Sequence, residues 1–185
     1  MARVLVPLAD GFEEIEAVTV VDVLRRGGVE VVTASIHDRL EVHGAHGMKI
    51  WADRQFDEAQ RDFYDAIVLP GGGRCAETFR QFNPLHERLL RQHDEKKLIC
   101  AICAAPTVLE VAGVLDEKTE VTCYPSCRND LNRPWVPAPV VHDGTVITGQ
   151  APGTAMLFAL VVLQTLAGEQ VARKVAQGMV TDVLA

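Results

Sequence analysis

Leu98-Ile99-Cys100-Ala101-Ile102-Cys103-Ala104-Ala105-Pro106 is a stretch without one charged or strongly polar residue. A strand with one solvated face would alternate; this continuous run reads as a strand buried on both faces. Proline is tolerated in the first turn of a helix. Pro106 therefore marks the passage from a strand over Leu98-Ile102 into a helical segment from about Ala104 to Ala112, closed by Gly113. A buried strand that turns directly into a helix is the repeating unit of a parallel sheet.

The same pattern recurs outward from this stretch. Toward the amino terminus, Ala66-Leu69 is an apolar strand ending in Pro70-Gly71-Gly72-Gly73, and a polar helical stretch follows from about Asn83 to Glu95. Earlier still, Arg3-Leu8 reads as a buried strand, Glu13-Arg26 as a helix closed by Gly27-Gly28, and Glu30-Ser35 as another strand. Toward the carboxyl terminus, Val140-His142 and Thr145-Thr148 flank Asp143-Gly144, a strong hairpin signal. Thr154-Leu166 is apolar nearly all round, so it predicts a helix packed on more than one side. The expected fold is α/β, a mostly parallel sheet with helices on both faces. With 185 residues and no linker or repeat, one domain over 1–185 is expected. A chain of this length buries roughly 70% of its extended surface and folds without disulfides or metals.

Composition narrows the function. A formal net charge of −7 and a pI near 5.3, with no basic run, argue against a stable nucleic-acid complex. The longest apolar run, Ala155 to Leu163, falls well short of the ~20 residues of a membrane span. The apolar stretch before Asp10 is too short for an export signal, so the expected location is the cytoplasm, where the five cysteines stay reduced.

In open parallel sheets ligands bind beyond the carboxyl ends of the strands. Three loops leave from that edge: Ala9-Asp10-Gly11, Pro70-Gly71-Gly72-Gly73 and the turn at Cys103. A thiol at a tight strand-to-helix turn faces backbone amides and a helix dipole, which predicts a lowered pKa and a nucleophile-elbow geometry. Glu16 shares a helix stripe with Phe12, Val20 and Val23, so its carboxyl is expected to be desolvated, with a raised pKa. Glu13 and Glu14 beside it are expected to be partly exposed helix charges. The glycine run could present amides to an oxyanion but lacks the residues of a phosphate loop. Cys100-x2-Cys103 and Cys123-x3-Cys127 have spacings near those of a zinc site, yet positions i and i+3 of a strand point to opposite faces. The six histidines sit in polar or solvated settings and read as surface residues, none of them marked as a base for Cys103.

Four motifs carry a resemblance. Gly11-Phe12-Glu13-Glu14-Ile15-Glu16-Ala17-Val18, Val68-Leu69-Pro70-Gly71-Gly72, Ala101-Ile102-Cys103-Ala104-Ala105-Pro106-Thr107 and Ala151-Pro152-Gly153-Thr154 resemble the ThiJ/PfpI superfamily. Within it the chain is similar to the bacterial ThiJ/YajL branch, near the human parkinsonism-associated deglycase. The resemblance implies a flavodoxin-like sandwich that forms a homodimer, with the first helix near the two-fold axis. By motif, Cys103 matches the reactive cysteine and Glu16 the protonated glutamate bonded to it. Gly72 and Ala104 match the positions whose amides line the anion site, and Arg26 an arginine that approaches across the dimer. The activities implied are cofactor-free glyoxalase and deglycase chemistry on methylglyoxal, glyoxal and their early adducts on amines and thiols, together with oxidative-stress sensing and chaperone action. No metal or organic cofactor is implied.

Departures from the pattern matter. Tyr124-Pro125 stands where the human relative has His-Pro, so no histidine base comes from that place. His46 replaces an arginine that supports the anion site, which argues against strong sulfinate binding. Ala104 replaces the histidine of the PfpI protease and amidotransferase-like branches, and Glu16 the aspartate of the isocyanide-hydratase branch. The expected reaction has the Cys103 thiolate add to a small α-oxoaldehyde or an early adduct, while Glu16 moves protons between carbon and oxygen. Its rival is a non-catalytic redox sensor or chaperone that uses the same oxidisable thiol.

Overall fold

Val4, Leu5, Val6 and Leu8 of the first strand are fully buried, as are Ile67, Leu69, Ile99 and Ile102 of two later ones. Two-sided burial is why those strands read as uninterrupted apolar runs. The structure, a computed structural model, describes residues 1–182; the last three residues of the expected 1–185 domain lie outside the described residues.

In chain order the first half holds β1 (Arg3–Leu8), α1 (Glu14–Arg26), β2 (Glu30–Ser35), β3 (Glu41–His43), β4 (Lys49–Trp51), β5 (Arg54–Gln55), α2 (Phe56–Ala59) and β6 (Ala66–Leu69). The second holds α3 (Gly73–Arg80), α4 (Asn83–Asp94), β7 (Leu98–Ile102), α5 (Pro106–Ala112), β8 (Val140–Asp143), β9 (Val146–Gly149), α6 (Ala155–Ala167) and α7 (Glu169–Gly178).

The main sheet runs β5-β2-β1-β6-β7-β9-β8, and only the β8–β9 pair is antiparallel. Val4 pairs with Ala66, Ala66 with Leu98, and Ile102 with Gly149. The order β2-β1-β6-β7-β9 is the flavodoxin-like one, and it reverses direction between β1 and β6. Right-handed crossovers then place α1 on one face and α3, α4 and α5 on the other. α1 packs on α6 and α6 on α7, whereas α3 and α4 pack on α5. α6 is sandwiched, with Phe158, Ala159, Leu160, Val162 and Leu163 all fully buried, which accounts for its apolar circumference.

Three details differ from the sequence reading. The hairpin turn falls at Gly144-Thr145, with Asp143 still paired to Val146, because Gly144 takes the positive φ of 56°. α5 begins at Pro106, two residues late, since the chain has first to round the strained turn at Cys103. A small hairpin of β3 and β4 folds over the first βα loop, where Phe12 bridges Gly44. No helix of the described residues is long and apolar enough to cross a membrane.

Candidate active site

The point where the strand order reverses opens a crevice at the carboxyl edge, and three loops meet there. Cys103 closes β7 with φ at 66°, a left-handed conformation rare for a residue with a side chain. Two backbone bonds fix it: its N–H donates to the Gly149 carbonyl at 2.9 Å, and its carbonyl accepts the Tyr124 N–H at 2.8 Å. Strain of this kind persists where the surroundings over-determine it, and it aims the thiol away from the sheet into the crevice. Cys103 and Ala104 are each only 9% exposed.

Glu16 reaches the same spot from α1. It is fully buried, and its Oε2 accepts the Gly71 N–H at 2.7 Å. Its Oε1 is buried without a partner, and the Cys103 thiol lies against the carboxyl just short of a well-formed hydrogen bond. The glycines make this approach possible. A Cβ on Gly71 would stand 2.6 Å from Glu16 Oε2 and 2.7 Å from Cys103 Cβ. Gly72, at a φ of 92°, turns its amide toward the sulfur, as Ala104 does from the other side.

Burial pushes the Glu16 carboxyl up to about 7, with repulsion from Glu13 adding to it against the Gly71 and Cys103 contacts. The thiol contradicts the sequence expectation of a lowered pKa. Burial pushes Cys103 up, and the charge and close contact of Glu16 push it further; the Gly72 and Ala104 amides only oppose this. The thiol and the carboxyl are thus coupled: a proton on Glu16 removes the repulsion and makes the carboxyl a donor to the sulfur.

Glu14 is a second correction: Glu13, at the start of α1, is partly exposed as expected, but Glu14 is buried. Glu14 is 6% exposed, and its carboxylate accepts the His46 N–H at 2.7 Å and faces His46 Nδ1 at 3.0 Å. Against the desolvation of burial, these bonds and the Met48 amide hold its carboxyl below the usual range. In return the Glu14 hydrogen bond and the Glu13 charge raise the pKa of His46, an exposed side chain as expected. Glu13, Glu14 and His46 form the one cluster of three metal-ligating side chains among the described residues. The two cysteine pairs form no such cluster, since Cys100 is buried in β7 and Cys103 has turned out of it.

Arg26 is not brought to the thiol within this chain. It lies ten residues along α1 from Glu16, about 15 Å at helical rise, and pairs with Asp22 at 2.6 Å. Tyr124 does reach the site, through its backbone bond to Cys103, and the residue is 44% exposed.

An open parallel sheet carrying a strained strand-to-helix turn at its carboxyl edge defines a broad class, and the turn at Cys103 puts this protein in it. The match is narrower than that: the model of the DJ-1/PfpI family covers residues 2–165, and the chain belongs to that family. Protein dj-1beta of Drosophila melanogaster is 38% identical over 178 residues, 95% of each chain. The glutathione-independent glyoxalase DJR-1.2 of Caenorhabditis elegans is 35% identical over 172 residues, 91% of this chain and 90% of that one. DJ-1 homologs B and A of Arabidopsis thaliana are each 39% identical over 170 residues, and the chain spans only 39% and 43% of their lengths. Among solved structures, Drosophila DJ-1beta superposes with a TM-score of 0.95 at 37% identity, covering 98% of both chains. Oxidized Toxoplasma gondii DJ-1 gives 0.93 at 34% identity, covering 98% of this chain and 99% of that one. The family thus includes a glyoxalase.

Proposed function

We propose that the protein is a cofactor-independent, cysteine-dependent glyoxalase or deglycase that acts on methylglyoxal, glyoxal or their early adducts under carbonyl and oxidative stress. One observation carries the reading: Glu16 is buried with one oxygen held by Gly71 and the other free beside the Cys103 thiol. A carboxyl near 7 in that position can take the proton of the thiol as sulfur adds to the aldehyde carbon. It passes the proton to the aldehyde oxygen, leaving a hemithioacetal and a free carboxylate. The carboxylate then removes the proton from the former aldehyde carbon. The Gly72 and Ala104 amides hold the resulting enediolate oxygen. Glu16 returns the proton to the neighbouring carbon while the hydroxyl proton passes to the enediolate oxygen, which gives a thioester of lactate on Cys103. Water cleaves that thioester, releasing lactate and restoring the thiol. The balance is one methylglyoxal and one water to one lactic acid, with no redox partner.

The working unit in this reading is a cytoplasmic homodimer of single domains. Val18, Val21, Ile50 and Trp51 line an apolar groove on α1 and β4, and Trp51 is 72% exposed. A second copy would cover this face and bring its own Arg26 within reach of the crevice. Sedimentation equilibrium should give twice the 20.2 kDa chain mass, and a sole species at 20.2 kDa would remove the dimer from the proposal.

A second reading, a redox sensor or chaperone without turnover, has one observation in its favour: the Toxoplasma relative was solved oxidized. Lactate formation from methylglyoxal without added thiol separates the two. Saturable turnover by the wild type that drops to buffer background in Cys103→Ser supports the enzyme. A wild type no faster than Cys103→Ser leaves the sensor.

A further inference from the structure

Arg88 is 3% exposed, and its Nε is buried with no hydrogen-bond partner. Among the described residues no carboxylate lies within ion-pair reach of it; its guanidinium rests instead 5.8 Å from the centre of the Tyr64 ring. A buried, unpaired charge is among the costliest features a protein can carry. Most side chains would escape by losing the charge, but a guanidinium does not deprotonate at physiological pH. Burial and the neighbouring Arg91 both work against the charge at this place, and Glu95, too far for an ion pair, offsets them only in part.

The surroundings are cationic as well. Arg88 lines a pocket of about 140 Å³ with Arg61, Asp62, Phe63, Arg91 and Glu95. Arg61 and Arg91 are exposed and form no ion pair among the described residues. Asp62 is already engaged by Arg3 at 3.0 Å and Arg54 at 2.6 Å. Three guanidinium groups therefore face one uncommitted carboxylate, that of Glu95. The pocket lies between the loop entering β6 and the last turns of α4, at the opposite edge of the sheet from Cys103. It is well below the roughly 300–1,000 Å³ of a typical ligand cleft, which suits a compact anion.

We propose that Arg61, Arg88 and Arg91 bind a phosphate-type oxyanion, either inorganic phosphate or the phosphoryl group of a small phosphate monoester. The planar fork of arginine matches such an anion with paired N–H donors, and the near-complete burial of Arg88 strengthens the attraction. This site is independent of the thiol chemistry.

Thermal melting tests it in phosphate-free buffer at constant ionic strength, with potassium chloride, inorganic phosphate or glycerol 3-phosphate added. In the wild type, phosphate or its monoester should raise Tm with the logarithm of its concentration, by roughly 5–10 °C at a hundredfold excess over Kd, where chloride does not. Arg88→Met should abolish that rise, and Arg91→Gln should weaken binding about tenfold or more. Without phosphate, Arg88→Met should melt at or above the wild-type temperature, because it removes an unpaired buried charge. Tighter binding of the monoester identifies an organic phosphate as the ligand, and equal binding identifies phosphate itself. A wild type that responds to phosphate no more than to chloride overturns the proposal. So does an Arg88→Met variant that responds fully, or that melts lower than wild type without phosphate.

Discussion

Glu16→Gln is expected to lower lactate formation by about 10²–10⁴-fold and, at pH 8, to make the protein more stable. The two effects have one origin. Burial raises the Glu16 carboxyl from its ordinary 4.5 to about 7, so the folded state holds that proton more tightly than the unfolded chain does. The stabilisation from a protonated Glu16 is fully present below about 4.5. It is lost as pH rises through 7, and a shift of this size corresponds to ~3 kcal/mol. Glutamine has nearly the same shape, can still accept from the Gly71 amide, and never ionises. The variant should therefore match the wild type in urea unfolding near pH 4.5 and exceed it by about 3 kcal/mol at pH 8. Activity moves the other way because an amide cannot take the thiol proton or shuttle it between carbons. In the wild type, kcat should fall as pH drops below 7, following protonation of the base. A glutamine variant that kept wild-type turnover would remove Glu16 from the reaction, and one no more stable at pH 8 would mean that the buried carboxyl is not strained.

The centre of this site was legible for definite reasons. A strand buried on both faces leaves a uniform apolar signature, and Pro106 marks where it turns, so Cys103 stood out from local sequence. Glu16 was legible because helical spacing aligns it with Val20 and Val23, which are buried with it. The state of the thiol was not, since its pKa depends on a carboxyl 87 positions away in sequence and on burial that no local pattern records. Glu14 was misjudged for a similar reason, while Glu13 is partly exposed as read. The loop carrying His46 and Met48 covers Glu14 from outside the helix, which no pattern within α1 records. β3 and β4 are three residues each, joined by a loop that holds Gly44, His46 and Gly47, and are too short to show a period. Arg88 is the opposite case. It follows Leu85 by three and precedes Gln92 by four on the buried stripe of α4, so its burial was readable from spacing that the helix's polar composition obscured.

Gly72→Ala is expected to destabilise the protein by about 2–5 kcal/mol and to cost about 10²–10³-fold in kcat, while Gly73→Ala one position on should be nearly silent. Gly72 holds a φ of 92° that an L-residue adopts only under strain. Its added Cβ would also run into the Gly11 carbonyl oxygen, stand 2.8 Å from the Glu13 amide nitrogen and lie 3.0 Å from Phe12 C. These are backbone atoms of the first βα loop, so no side chain can swing aside. Either the Pro70–Gly73 loop moves out or the Gly11–Glu13 loop does. The second route strains the bond between the Glu13 N–H and the Gly71 carbonyl, now 3.1 Å, and both routes disturb the Gly71 donor to Glu16. The Gly72 amide then no longer points at the oxygen that develops charge, the usual outcome of losing one oxyanion donor. Gly73 makes the comparison sharp because it opens α3 at an ordinary φ with no atom near its missing Cβ, and alanine is the better helix former there. Urea midpoints and lactate kcat on both variants read stability and chemistry separately. Equal loss in the two, or a Gly72→Ala protein that folds and turns over like wild type, would show that the crevice does not depend on the approach of these two loops.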